Sequence, residues 1–206
     1  MKRTAGLLGL ATVVACSDPS IPTRSAAYAF DDPGTGDVFH WPTTRPMTLW
    51  VDPRGALPRL AREGVAQWEA QFLYGEFTGV VVDDSLDADV LLVWGGAVPA
   101  DVPPDTGPPV NACTGLTVIS TDSTNTLDDY IRAEVTASVG FTPEQVAACV
   151  ARVTTHELGH ALGILQHSPD AADLMAPNPV VAVPSDGDRR TMEVLYHTTP
   201  TIRPRP

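Results

Sequence analysis

The chain has 206 residues, enough for one domain with a short extension, and its 43% hydrophobic content is that of a globular protein, while 20 prolines and 16 glycines point to much irregular structure. It carries 25 acidic against 13 basic residues, a formal charge of −12, which argues against nucleic acid or anionic lipid as partners held through a basic patch. No internal repeat, coiled-coil heptad or apolar run long enough to span a bilayer is visible.

Met1 to Ala15 (residues 1–15) reads as a signal peptide, with Lys2 and Arg3 at its positive end and an apolar run from Ala5 to Ala15 too short to cross a membrane. The run ends Val13-Val14-Ala15-Cys16, which resembles a bacterial lipobox. That resemblance implies a lipidated Cys16 as mature N-terminus and an extracytoplasmic protein lipid-anchored to the bacterial envelope; the alternative is an ordinary secretory signal and a secreted product. Loss of the leader removes two basic residues, leaving 11 minus 25, a formal charge of −14. Of the three cysteines, Cys113 and Cys149 then remain as an even pair in an oxidising compartment. A disulfide between them would stabilise by roughly 3–4 kcal/mol through loop closure; two buried thiols are the other reading.

Residues 16–36, rich in Pro, Ser, Ala and Asp and without sustained periodicity, are expected to form a flexible tether, so the folded domain is expected over 37–206. Met47 to Val51 reads as a strand between prolines, and Leu57 to about Tyr74 as a helix with Leu57, Leu60, Val65, Trp68 and Phe72 on one face. Gly79 to Val82 and Asp89 to Trp94 are two further strands, the second buried on both faces if central. Asp83, Asp84, Asp87 and Asp89 offer either a calcium site or a solvated acidic turn. Gly95 to Ala112 is a proline-rich loop. Leu116 to Thr121 and Tyr130 to Ser138 then alternate apolar and polar residues, as two strands joined by a polar connection do.

Thr142-Pro143-Glu144-Gln145 opens the next helix with a capping box and proline at the first helical position, and the helix is expected to run to Leu162. Near its end stands His156-Glu157-Leu158-Gly159-His160-Ala161-Leu162-Gly163-Ile164-Leu165-Gln166-His167, of the form H-E-x-x-H-x-x-G-x-x-H. Residues four apart share a helix face, so His156 and His160 can point at one ion, with Glu157 beside it. Gly163 can take positive φ, end the helix and let the chain turn back to supply His167 as a third ligand. Three neutral imidazoles leave a catalytic zinc its full charge and one open position, where water is acidified towards neutrality and Glu157 can take its proton.

This pattern resembles the metzincin clan of zinc endopeptidases. Met175, in Asp173-Leu174-Met175-Ala176-Pro177, is similar to the clan's Met-turn, and Ser168 directly after the third histidine is similar to the matrixin family. The resemblance implies an α+β, α/β/α-like fold: a mixed twisted five-stranded sheet with an antiparallel edge strand, an active-site helix, the Met-turn and a C-terminal helix, divided into an upper part 37–163 and a lower part 164–206. It places Leu116, Thr117, Val118 and Ile119 on an edge strand that pairs with an extended peptide substrate; an edge covered by the nearby loop is the bland alternative. Arg152, one turn before His156, either borders the pocket for the substrate side chain after the scissile bond or is solvated.

A last helix is expected from Ser185, with Asp186 and Asp188 in its first turn, to Tyr196, followed by a frayed tail. Matrixins usually carry a structural zinc, calcium ions and a propeptide cysteine; here the long loop offers Asp101 and Asp105 but no histidine, so one catalytic zinc and no second is expected. The expected activity is a monomeric zinc-dependent metalloendopeptidase acting on protein or peptide substrates. The competing reading is a non-catalytic zinc-bearing surface or binding protein on the same scaffold.

Overall fold

The computed structural model describes residues 25–99 and 112–205. The signal peptide, Cys16 with the first part of the expected tether, and Asp101 and Asp105 lie outside the described residues.

Five strands make one sheet in the order β2-β1-β3-β5-β4. They are β1 (Met47–Val51), β2 (Gly79–Val82), β3 (Val90–Trp94), β4 (Cys113–Val118) and β5 (Ile131–Ala137). The pairs β1–β2, β1–β3 and β3–β5 are parallel, and β4 runs antiparallel to β5 at the edge. Helix α1 (Leu57–Glu69) follows β1, α2 (Pro143–Ala161) follows β5, and α3 (Asp186–Tyr196) closes the domain. This is the mixed α+β architecture expected from the family resemblance.

The two faces of the sheet explain the apolar run of β3. Val90, Leu92 and Trp94 join the main core with Met47, Leu49, Ile131, Ala133 and Val135, into which α1 sends Leu57, Leu60 and Trp68 and α2 sends Val146, Val150 and Leu158. Leu91 and Val93 pack on the opposite face with Ala88, Trp50 and Val82. Every residue of β3 is therefore buried, as a central parallel strand requires. The helices are also joined directly: Trp68 Nε1 donates to Thr155 O at 2.8 Å.

Several boundaries differ from the sequence reading. Helix α1 stops at Glu69, because beyond it the chain bends to place Phe72 against Phe77 and Tyr196, with ring centroids 5.8 and 4.8 Å apart. The edge strand starts three residues earlier than expected and excludes Ile119. Its ladder with β5 runs from Cys113↔Ala137 to Val118↔Arg132 and stops one residue short of Ile119.

The flexible tether expected up to Gly36 is corrected over 25–36. Tyr28 is buried and its hydroxyl donates to Asp188 at 2.6 Å; Leu165 N donates to Phe30 O at 2.8 Å and Gln166 Nε2 to Asp31 O at 2.8 Å. Two aromatic residues and a set of backbone partners outweigh the disorder-like composition. The tail is likewise docked: Ile202 is buried, its N–H donates to Val38 O, and Arg203 N donates to Asn125 O.

Helix α2 begins with the expected capping box, Thr142 and Gln145 each accepting from the other's backbone N–H. It ends at Ala161, and Gly163 follows at φ +115°, where a Cβ would stand 1.9 Å from Phe39 O. Gly163→Ala should therefore destabilise the domain by about 2–3 kcal/mol through backbone strain and displacement of Phe39, measurable as a lowered urea midpoint at unchanged slope; unchanged stability would contradict this role.

A disulfide joins Cys113 to Cys149 with Cα atoms 5.8 Å apart. It ties the first residue of the edge strand to the middle of α2. Replacing both cysteines with serine should lower unfolding free energy by roughly 3 kcal/mol, read by chemical denaturation of the oxidised wild type beside the variant.

Candidate metal centre

Two turns of α2 and the bend after Gly163 bring three imidazoles together. His160 Nε2 lies 3.1 Å from His156 Nε2 and 3.3 Å from His167 Nε2. On the far side of the rings, His156 Nδ1 meets Leu174 O at 2.8 Å and His160 Nδ1 meets Ile164 O at 2.6 Å. A carbonyl oxygen only accepts, so each of these Nδ1 atoms carries the proton and each Nε2 presents a lone pair. Two lone pairs at 3.1 Å cannot bond to each other, and they are a fitting pair of donors to a cation. Tetrahedral nitrogens about 2.0–2.1 Å from zinc stand roughly 3.3 Å apart, the spacing found here.

Among the described residues this is the group of three potential ligand side chains that could hold a metal ion. The acidic turn does not gather a calcium cage. Asp89 is engaged by Arg45 at 2.6 and 3.0 Å and by Thr48, and Asp84 accepts from Leu86 N as a helix cap.

Burial keeps the triad in its ligating form. It pushes the pKa of His156 down to about 4 and that of His160 down to about 3, the latter helped by neighbouring His156, and it lowers His167 as well. Buried Glu157 is pushed up to about 7, with the Thr117 hydroxyl working in the opposite direction. Thr117 Oγ1 donates to Glu157 Oε2 at 2.6 Å. Gly115 lets the strand come this close, since a Cβ there would fall 2.0 Å from Glu157 Oε1. The edge strand thus supplies the carboxylate with both a partner and a space.

The turn after His167 is held from below. Met175 is fully buried, and Ser168 N donates to Met175 O at 2.8 Å. The carboxylate of Asp188, fully buried, accepts from Leu174 N at 2.8 Å, Met175 N at 3.2 Å, Ser185 N at 2.8 Å and the Tyr28 hydroxyl. Asp173 accepts from the hydroxyls of Ser168 and Ser185. Because Leu174 O receives His156 Nδ1, these bonds reach the triad through one peptide unit.

From the sequence, Asp188 reads as an acid favouring a helix dipole. Its position three residues after the N-cap Ser185 was a capping-box signal, and the box is present. Nothing in the sequence announced Tyr28, and the contact of Thr117 with Glu157 depends on strand register.

Two cavities flank the triad. One, of about 470 Å³, follows β4 past Gly115, Leu116 and Thr117, reaches Glu157, His160 and His167, and is closed by Asp32, Thr35 and Asp37. Ile119 borders it from beyond the strand's end. The other, of about 200 Å³, lies at the Cys113 end of β4 and includes His156, Glu157, Arg152 and the Pro177–Pro179 segment. Arg152 is not solvated: it is 4% exposed and lines this second cavity. As the last strand of the sheet, β4 has one edge without a strand neighbour, and Leu116 and Val118 are exposed there.

A search among curated proteins finds no match to the chain. The family model described as Matrixin matches residues 68–197. That span contains α2, the three histidines, the turn at Met175 and all but the last stretch of the chain beyond them. With more than half its length matched and the triad in place, the chain belongs to the matrixin family, which implies zinc as the ion and a metallopeptidase as the class of activity.

Proposed function

We propose that the protein is a zinc-dependent endopeptidase in which His156, His160 and His167 are the metal ligands and Glu157 is the general base. The observation that carries this reading is the convergence of three imidazoles, with His156 Nε2 and His167 Nε2 at 3.1 and 3.3 Å from His160 Nε2, beside a buried carboxylate that opens onto a strand-edged groove. Zinc held by three imidazoles supplies Lewis acidity towards water and a carbonyl oxygen.

The chain's own residues do the rest. The free edge of β4 at Gly115 to Val118 pairs with an extended peptide and sets the scissile bond across the triad. Thr117 fixes the Glu157 carboxylate, which takes a proton from the attacking water and returns it to the leaving amine. Leu174 O and Ile164 O hold two of the rings in the tautomer that ligates.

The leader sequence supports an exported protein, anchored through a lipid on Cys16. No helix among the described residues is long and apolar enough to cross a membrane. The substrate is a protein or peptide, and a single chain brings together every group named above.

The test is hydrolysis of a proteome-derived peptide library by the zinc-loaded protein, with and without a chelator. Chelator-sensitive cleavage inside peptides is expected. Absence of cleavage across the library by a protein that retains stoichiometric zinc would favour the non-catalytic alternative.

A further inference from the structure

The ladder between β4 and β5 decides which main-chain groups of β4 face its free edge. Ser138 N donates to Ala112 O at 2.8 Å, one step beyond the pair Cys113↔Ala137, so Ala112 and Ser138 form a hydrogen-bonded pair. In an antiparallel ladder such pairs alternate with pairs whose N–H and C=O groups point away from each other. Thr114, Leu116 and Val118 therefore bond to β5, while Gly115 and Thr117 turn their main-chain groups to the edge where no strand follows. The far side of β5 agrees: Gly95 N donates to Val135 O at 3.0 Å, so Val135, opposite Gly115, turns away from β4.

These same two residues touch Glu157. Thr117 Oγ1 donates to Oε2 at 2.6 Å, and a Cβ on Gly115 would fall 2.0 Å from Oε1. An extended chain laid along the edge therefore bonds, through its main chain, to the residues that hold the carboxylate.

We infer that Thr117 is a positioning residue that couples pairing of an extended peptide with β4 to the aim of Glu157. The inference rests on the peptidase reading for the role of Glu157; the coupling itself belongs to β4 and α2. Threonine is stiff about χ1, and its rotamer depends on its backbone dihedrals. A partner bonded to the N–H and C=O of Thr117 fixes those dihedrals and so aims the hydroxyl. With Oε2 tied to Thr117, the other carboxylate oxygen is left to meet water. A peptide too short to pair leaves residue 117 on an unpaired edge and loses that constraint. Because these bonds read the main chain, the selected class is extended peptides of sufficient length, whatever their side chains. Coupling is reciprocal, so the bond to Glu157 also holds residue 117 ready to pair.

The experiment reads binding and does not depend on turnover. An N-acetylated tetra-alanyl hydroxamate and its mono-alanyl counterpart share a metal anchor and differ in the length that can pair with β4. Both are titrated calorimetrically into the zinc-loaded protein. The long probe should bind at least tenfold more tightly and slow hydrogen exchange at the Thr117 amide, with little change at Leu116 and Val118, which already bond to β5. Thr117→Val keeps the shape and loses the hydroxyl; it should cut the long-to-short affinity ratio about fivefold, and Thr117→Ser should restore it. Glu157→Ala should cut the ratio by the same factor and the double variant no further, because both changes remove one bond. A merely structural role for Thr117 would move both probes together. A ratio unchanged in Thr117→Val, additive falls in the double variant, or a long probe that binds no tighter than the short one overturns the inference. The expected ratios without any peptide cleavage support it and count only against the peptidase reading.

Discussion

Glu157→Gln should lower kcat/KM for peptide hydrolysis by about 10³-fold or more while leaving zinc bound. Glutamine keeps the size of the side chain and can still meet the Thr117 hydroxyl, which now lies 2.6 Å from Oε2. What it lacks is the ability to take a proton from water, a contribution of roughly 10²–10⁴-fold for general base catalysis, larger where the same group also returns the proton to the leaving group. The ligand imidazoles are untouched, so zinc content by elemental analysis and affinity by chelator competition should match the wild type. A variant as active as the wild type would remove Glu157 from the mechanism. The wild type should lose activity as pH falls through the pKa of Glu157. Burial, opposed by the Thr117 bond, puts that value at about 7, and the cation of a loaded site draws it lower, so the acid limb of the pH profile should lie below neutrality.

Asp188→Ala should be the most destabilising single substitution outside the apolar core, at roughly 3–5 kcal/mol. Its carboxylate is fully buried and accepts from three backbone N–H groups and the Tyr28 hydroxyl. Alanine leaves all four donors without an acceptor in a space that the surrounding turn cannot easily refill. Two of those donors belong to Leu174 and Met175, so the Leu174 carbonyl that holds His156 loses its support. Zinc affinity should fall about 10–100-fold, the usual cost of removing a group that orients a ligand. Tyr28→Phe is the mild counterpart, removing one donor from the same carboxylate for about 1 kcal/mol. Denaturant midpoints and chelator competition measure both quantities. Asp188→Ala with wild-type stability would mean that the turn beneath the metal is held by something else.

Much of the site was legible because helices and zinc sites are specified locally. The capping box at Thr142, the four-residue spacing of His156 and His160, and the glycine that ends the helix all lie within 26 residues of sequence, and each appears where the spacing places it. What the sequence does not display is non-local. Whether Leu116 or Cys113 begins the edge strand depends on where β5 ends, and a shift along an antiparallel ladder cannot be seen in either strand alone. The composition of residues 25–36 resembles a linker, but disorder is decided by whether a few apolar groups find a surface, and Tyr28 finds one 160 residues away. In the sequence Asp188 reads only as a first-turn acid favouring the helix dipole, because its partners at Leu174 and Met175 belong to an irregular turn with no pattern of its own.

The passage of the chain around Gly163 places His167 beyond the end of α2, on a segment that the helix meets also through the bonds from His156 to Leu174 O and from His160 to Ile164 O. An ion shared by the three imidazoles is thus a removable cross-link between a helix and the lower part of the domain. Stability then becomes a function of zinc activity, increasing by about 1.4 kcal/mol for each tenfold excess of free ion over the dissociation constant. The melting temperature should rise with buffered zinc and fall on chelation, and the residues after Gly163 should gain the most hydrogen-exchange protection. Metal supply is then a determinant of survival as well as of turnover: a chain that has not met its ion should be the one most readily degraded.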